Sequence, residues 1–291
     1  MNKLMYSAPL YFIAFLPAVI MLYQLCPQKF RKYVLLVASY VFFYTWSKFF
    51  LVYQVITMVI TYVSAKIIDH TTNKKTKKFI LFTAIAINLG VLVILKYTNF
   101  LGENIFAIFH QRFTTVHFIT PIGISYYTLQ MISYLMDTSS GKIHSDHSIV
   151  DFAVYASFFP TLIQGPITRF NEIKDSILAG NPITYQNLKF GSQRILFGLM
   201  KKMIIADRLD PAVSKIFTSY TQDGLFSLIG AVLCTIQLYM DFSGIVDICL
   251  GSAEIFGIKL PENFRQPFFA ENASDFWRRW HITLGTFLRD Y

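Results

Sequence analysis

Stretches without a charged side chain recur along this chain at lengths that match a lipid bilayer: residues 4–28, 34–47, 49–65, 79–95, 118–136, 152–168 and 224–240. About 20 apolar residues cross the hydrocarbon layer as a helix, and shorter runs suffice where flanking Lys, Arg, Trp or Tyr reach the interface. The pattern predicts an all-α, polytopic helical membrane protein with about seven spans, plus amphipathic or re-entrant pieces. A large soluble bundle is the competing class. It would carry about 25% charged residues, whereas this chain has 15% charged and 54% hydrophobic residues. The first run carries Lys3 but has no Ala-x-Ala-type site near Cys26 and Pro27, so it is expected to stay as a span rather than be cleaved. With no repeat, low-complexity tract or linker, residues 1–291 are expected to form a single multi-pass domain. Residues 1–117 would supply N-terminal spans and 118–291 the chemistry.

The net charge of +9 is carried by short connectors. Lys29, Arg31 and Lys32 lie between the first two runs; Lys66, Lys74, Lys75, Lys77 and Lys78 lie between the third and fourth. If the second and third runs are separate spans, both basic loops fall on one face, which the positive-inside rule makes cytoplasmic, with Asn2 outside. Cations scattered over connectors do not make the continuous face that nucleic-acid binding needs, so no nucleic-acid partner is expected. Cys26, Cys234 and Cys249 have no paired spacing and read as small core residues.

Beyond Thr120 the apolar runs are punctuated by Pro121, Gly123, Pro160, Gly165, Pro166, Gly180 and Pro182. Broken helices at membrane depth are tolerated only where protein or a water-filled cavity satisfies the freed backbone, so this half is expected to line an internal chamber. Residues 191–208 mix Arg194, Lys201, Lys202 and Arg208 with large apolar side chains. Two readings fit: a helix lying at the headgroup level, cations toward anionic lipid, or the end of a short span.

Two places could carry chemistry. Residues 276–291 set His281, Arg278 and Arg279 among Phe276, Trp277 and Trp280. Ser274 is the expected N-cap, with Asp275 at the positive end of the helix dipole. Helical spacing puts Phe276, Trp280, Leu284 and Phe287 in one apolar stripe and Trp277, Arg278, His281 and Leu288 on a neighbouring face. A histidine can exchange a proton near neutrality; an interfacial helix with an incidental histidine fits the spacing equally well. The second place is Asp241 and Asp247, which could fix a catalytic histidine or merely pair with a cation such as Arg265 or Arg278. Familiar signatures are absent: no Gly-rich phosphate loop, no G-x-S-x-G and no H-E-x-x-H. His144 and His147, near Asp146 and Asp151, sit in a polar loop that reads as solvated rather than metal-binding.

Four blocks resemble the membrane-bound O-acyltransferase family in order. They are PIGISYYTLQ at 121–130, FFPTLIQGPITR at 158–169, PENFRQPF at 261–268 and DFWRRWH at 275–281. The closest likeness is to the bacterial branch that includes alginate O-acetylation. The resemblance implies transfer of an acyl group, expected to be acetyl from acetyl-CoA on the cytoplasmic side, across the inner membrane to a hydroxyl of a surface polysaccharide or peptidoglycan. It implies no bound cofactor or metal, and a separate extracytoplasmic partner protein that completes the transfer. It maps the family's motif histidine onto His281, with Asp241, Asp247, Trp277 and Arg278 as supporting or tunnel-lining residues. A second family histidine lies in a Trp-His-Gly-like motif further along, so the chain is expected to stop short of the complete core. Competing expectations are a transporter moving its substrate past Asp241 and Asp247, and an acyltransferase inactive without that second histidine.

Overall fold

The computed structural model describes residues 6–46, 48–116, 123–162, 164–219 and 224–291. Asn2 and Lys3, Ser47, residues 118–122 with Pro121, and Ile163 lie outside the described residues. Among the described residues there is no strand, and one antiparallel bridge joins Phe264 to Trp280. The all-α class follows as the sequence implies.

Among the described residues, three helices are long and apolar enough to cross a membrane: Leu51–His70 within α3 (Lys48–His70), α4 (Lys74–Lys96) and α11 (Gly224–Ile255). The other apolar runs form shorter helices among the described residues. The first gives a π-helical turn, Tyr11–Phe15, and α1 (Leu16–Leu25); the second gives α2 (Arg31–Trp46). The 118–136 run gives α6 (Ile124–Ser139), which starts at Gly123 in the left-handed conformation (φ 86°). The 152–168 run departs furthest. Its helix α7 (Ile149–Ser157) has nine residues, a rise of about 14 Å where about 30 Å is needed. Pro160, Gly165 and Pro166 then hold the chain out of helix, and α8 (Phe170–Ala179) follows.

The chain divides into two compact units. One takes Leu35–Ile163, Arg169–Lys174 and Tyr291. Helices α3, α4, α6 and α7 pack there, with α5 (Thr98–Ile108) after α4. Its interior mixes aromatic rings with buried polar pairs: the Tyr127 hydroxyl bonds to the Gln54 carbonyl at 2.9 Å and lies 2.8 Å from Thr57 Oγ1, and Asn88 donates to Thr61 at 3.2 Å. In lipid such pairs hold helices that no hydrophobic contrast drives together.

The other unit takes Met1–Val34, Gln164–Thr168 and Asp175–Asp290. Its elements are α1, α9 (Tyr185–Leu199), a π-helical segment Met200–Ala206, α10 (Asp207–Ser219), α11, α12 (Ala273–Arg279) and α13 (Ile282–Asp290). Thr184 and Asn187 form a reciprocal capping box that starts α9. Residues near α1 are lashed to the turn before α9: Tyr23 donates to the Asn181 carbonyl, and Arg31 to the Gly180 carbonyl at 3.0 Å. Tyr11 reaches Ser252 on α11 at 2.9 Å.

Candidate functional site

The site grows from the crossing of α9 and α11. Gly191 and Gly198 are seven residues apart on α9; Gly244 and Gly251 are seven apart on α11. A Cβ added at Gly191 would lie 2.6 Å from the Gly251 carbonyl oxygen, and one at Gly198 would lie 2.5 Å from that of Gly244. Only glycine permits this approach, which is the small-residue packing typical of helices in lipid.

The close crossing brings opposite charges together. Asp247, three residues after Gly244, accepts from Arg194 Nε and from Lys201 Nζ, each at 2.6 Å. Arg194 also grips Glu262 through both terminal nitrogens, at 3.0 and 2.7 Å. Lys202 bridges Asp207 at 2.7 Å and Asp241 at 2.5 Å. Both sequence-selected carboxylates are thus held by cations of the α9–π segment, not by Arg265 or Arg278. Three of the four cations in 191–208 thus pair with acids within the unit.

Above the pairs opens a cleft of about 530 Å³, lined by Arg194, Phe197, Lys201, Tyr239, Ser243, Asp247, Glu262, Phe264 and Arg265 among others. Its rim is the segment that carries the third sequence block.

That block pairs with the fourth. Phe264 and Trp280 form the bridge, Arg265 N–H donates to the Arg279 carbonyl at 3.0 Å, and Ile282 N–H donates to the Asn263 carbonyl at 3.0 Å. The pairing changes the terminal stretch. Helix α12 is capped by Asn272, which accepts from Asp275 N–H, rather than by Ser274, and Asp275 takes its first-turn place as expected. Trp280 is extended, and His281 takes the left-handed conformation at φ 45°. The uninterrupted helical stripe through Phe276, Trp280, Leu284 and Phe287 is therefore replaced by two short helices with a kink at His281. A non-glycine residue there costs on the order of 1 kcal/mol, and bridge bonds on both sides hold it in place.

His281 is half-buried with its ring centroid 5.0 Å from that of Phe242, edge to face. Phe242 in turn meets Phe264 at 5.0 Å, and Phe264 meets Trp280 at 5.1 Å. Burial pushes the His281 pKa below the usual imidazole value, which keeps the ring neutral at pH 7. Trp277 and Arg278 are exposed. The structure brings His281 to Phe242, the residue after Asp241, while the acids themselves engage Arg194, Lys201 and Lys202.

Residues that sequence reasoning passed over complete the site. Asn263 is fully buried and its Oδ1 accepts from Thr283 N–H at 3.2 Å and from Thr283 Oγ1 at 2.6 Å. Thr283 Oγ1 accepts from Ile167 N–H at 3.1 Å, so the end of the second block joins the third block and the residues just after the fourth. In the other unit, His147 Nε2 lies 2.8 Å from the Tyr134 hydroxyl, and His144 lies 3.5 Å from Asp69. Among the described residues no cluster of three His, Cys, Asp or Glu side chains could hold a metal.

Comparison with known proteins places this arrangement. The chain is 35% identical to "Probable alginate O-acetylase AlgI" of Pseudomonas aeruginosa over 99% of its own length and 56% of that protein's. It is 34% identical to the peptidoglycan O-acetyltransferase of Helicobacter pylori over 99% of its length and 61% of that protein's. To the teichoic acid D-alanyltransferase of Bacillus subtilis it is 31% identical over 60% of the chain and 45% of that protein. The chain thus spans between half and two thirds of the length of the relatives it matches end to end. The model of the membrane-bound O-acyltransferase family, MBOAT, matches residues 12–291. By that match and by the identity of these relatives over nearly its whole length, the chain belongs to the membrane-bound O-acyltransferase family.

Proposed function

We propose that the protein carries the acyl-transfer half of a cell-surface O-acylation reaction. An acetyl group would leave a cytoplasmic thioester such as acetyl-CoA and pass across the inner membrane toward a hydroxyl of a polysaccharide or peptidoglycan. A separate extracytoplasmic protein would complete delivery. The observation that carries this reading is the half-buried His281 held in the left-handed conformation at the junction of the motif blocks. Relatives named for O-acetylation of alginate and of peptidoglycan support it. In the proposed step the hydroxyl oxygen bonds to the acyl carbon and its proton passes to the neutral imidazole. The carbon–sulfur bond breaks, and the leaving thiolate takes that proton, giving an ester and a free thiol. Arg194, Lys201 and Asp247 serve this site by holding the cleft's shape, and Trp277 and Arg278 would line the approach to it.

Incubating the purified protein with radiolabelled acetyl-CoA and an alginate or peptidoglycan acceptor, with and without the partner, tests the proposal. Label in acid-stable, base-labile ester linkage is expected. A substrate that crosses vesicles while no acetyl reaches protein, partner or glycan would sink it.

A further inference from the structure

We infer that Asn263 is the positioning residue of the site: it fixes the backbone on the C-terminal side of His281 and so sets where the imidazole points. The inference rests on the proposed role of His281. Three bonds converge on this one side chain and its carbonyl. Asn263 O accepts from Ile282 N–H at 3.0 Å, and Oδ1 accepts from Thr283 N–H at 3.2 Å and from Thr283 Oγ1 at 2.6 Å. The residue immediately before them, His281, holds a left-handed φ of 45°. A non-glycine side chain stays in that region only where its surroundings over-determine the backbone. The amide's orientation is set by Thr283 N–H, a backbone donor that can meet only the oxygen. Its nitrogen then has no hydrogen-bond partner although the residue is fully buried. An unbonded buried donor is unfavourable, so Asn263 earns its place through its oxygen alone. Thr283 passes the constraint on, since its Oγ1 also accepts from Ile167 N–H at 3.1 Å.

The test uses the protein in membranes and two readouts. The first is the rate at which diethyl pyrocarbonate labels His281, followed by mass spectrometry of the tryptic peptide 280–289. His147, in the other unit and bonded to Tyr134, is the internal reference. Asn263→Ala and Thr283→Val are expected to raise His281 labelling several-fold with His147 unchanged. Thr283→Ser, which keeps the hydroxyl, should behave as wild type. The second readout is acyl transfer: kcat falls by about 100-fold in the first two variants, as misplacement of a reacting group does, while KM stays near wild type. Where Asn263→Ala fails to insert, the Thr283→Val and Thr283→Ser pair decides the matter. His281 labelling at the wild-type rate in Thr283→Val overturns the assignment, and so does an equal rise at His281 and His147, the mark of general loosening. If labelling changes as expected in the variants while the wild-type protein transfers no acyl group, the positioning stands and the proposed reaction falls.

Discussion

His281 concentrates the chemistry and shows how far residue-level reading goes. Its type and its place among aromatic and cationic neighbours single it out in the sequence, but its backbone does not follow from them. Phe276, Trp280, Leu284 and Phe287 fit helical spacing, so local periodicity predicts an unbroken helix. The break comes from Asn263, Phe264 and Arg265, far upstream, whose pairing with Arg279–Ile282 outweighs local propensity. Two outcomes belong to this scale. His281→Ala is expected to lower transfer by about 10²–10⁴-fold, the usual share of a general base. Membrane insertion should be unchanged, and turnover within a few-fold of wild type at equal protein level would remove His281 from the mechanism. Burial lowers the folded-state pKa of this imidazole, so the neutral ring persists below the unfolded value near 6.5. The acid limb of a rate-against-pH profile should accordingly fall below that value. The same sign governs stability: below about pH 6.5 the unfolded chain binds the proton first, so this residue's contribution to stability declines as pH falls.

At the scale of elements, α9 and α11 form the frame of the cleft. The carboxylates Asp241 and Asp247 were legible as a feature of the sequence, and their partners were not. Arg194, Lys201 and Lys202 read as a cationic helix face until the crossing brings them to the acids. The seven-residue spacing of Gly191 with Gly198, and of Gly244 with Gly251, was present as a signal for that crossing. Gly198→Ala sets a methyl 2.5 Å from a backbone carbonyl that cannot move aside, and overpacking of this kind costs about 1–3 kcal/mol. A lower unfolding temperature in detergent is expected. Gly90→Ala on α4 meets nothing within 4 Å and should be neutral or stabilising by up to about 1 kcal/mol, the helix-propensity gain; equal melting of the two variants would rule out the close crossing. Asp247→Ala leaves Lys201, whose side chain is 13% exposed, without its partner. Loss of one member of a buried pair costs roughly 3–5 kcal/mol, visible as reduced yield of folded protein.

For the whole molecule, the orientation across the membrane is the outstanding expectation. Lys74, Lys75, Lys77 and Lys78 crowd the first turns of α4 behind the Asn73 cap, an end where the helix dipole disfavours cations. Helix stability does not explain them, and we propose that they hold this loop on the cytoplasmic side. With Cys26, Cys234 and Cys249 replaced, a single cysteine at Lys75 should resist a membrane-impermeant thiol reagent in intact cells and react after permeabilisation. Labelling from outside would reverse the topology. Arg31 contributes less to this signal than its sequence position suggests, since it is buried and bonded to Gly180. The membrane class and helical fold were legible because composition and run length report them directly. The two units were not, because one of them joins Met1–Val34 to Asp175–Asp290 across the long intervening stretch that forms most of the other. That assembly has a genetic consequence. A chimera of two relatives made with one crossover near residue 163 would draw Tyr11 and Arg31 from one parent and Ser252 and Gly180 from the other. Paired crossovers at 34/35 and 163/164 would instead exchange most of one interior as a block. Recombination, like folding, has to respect seams that do not run along the gene.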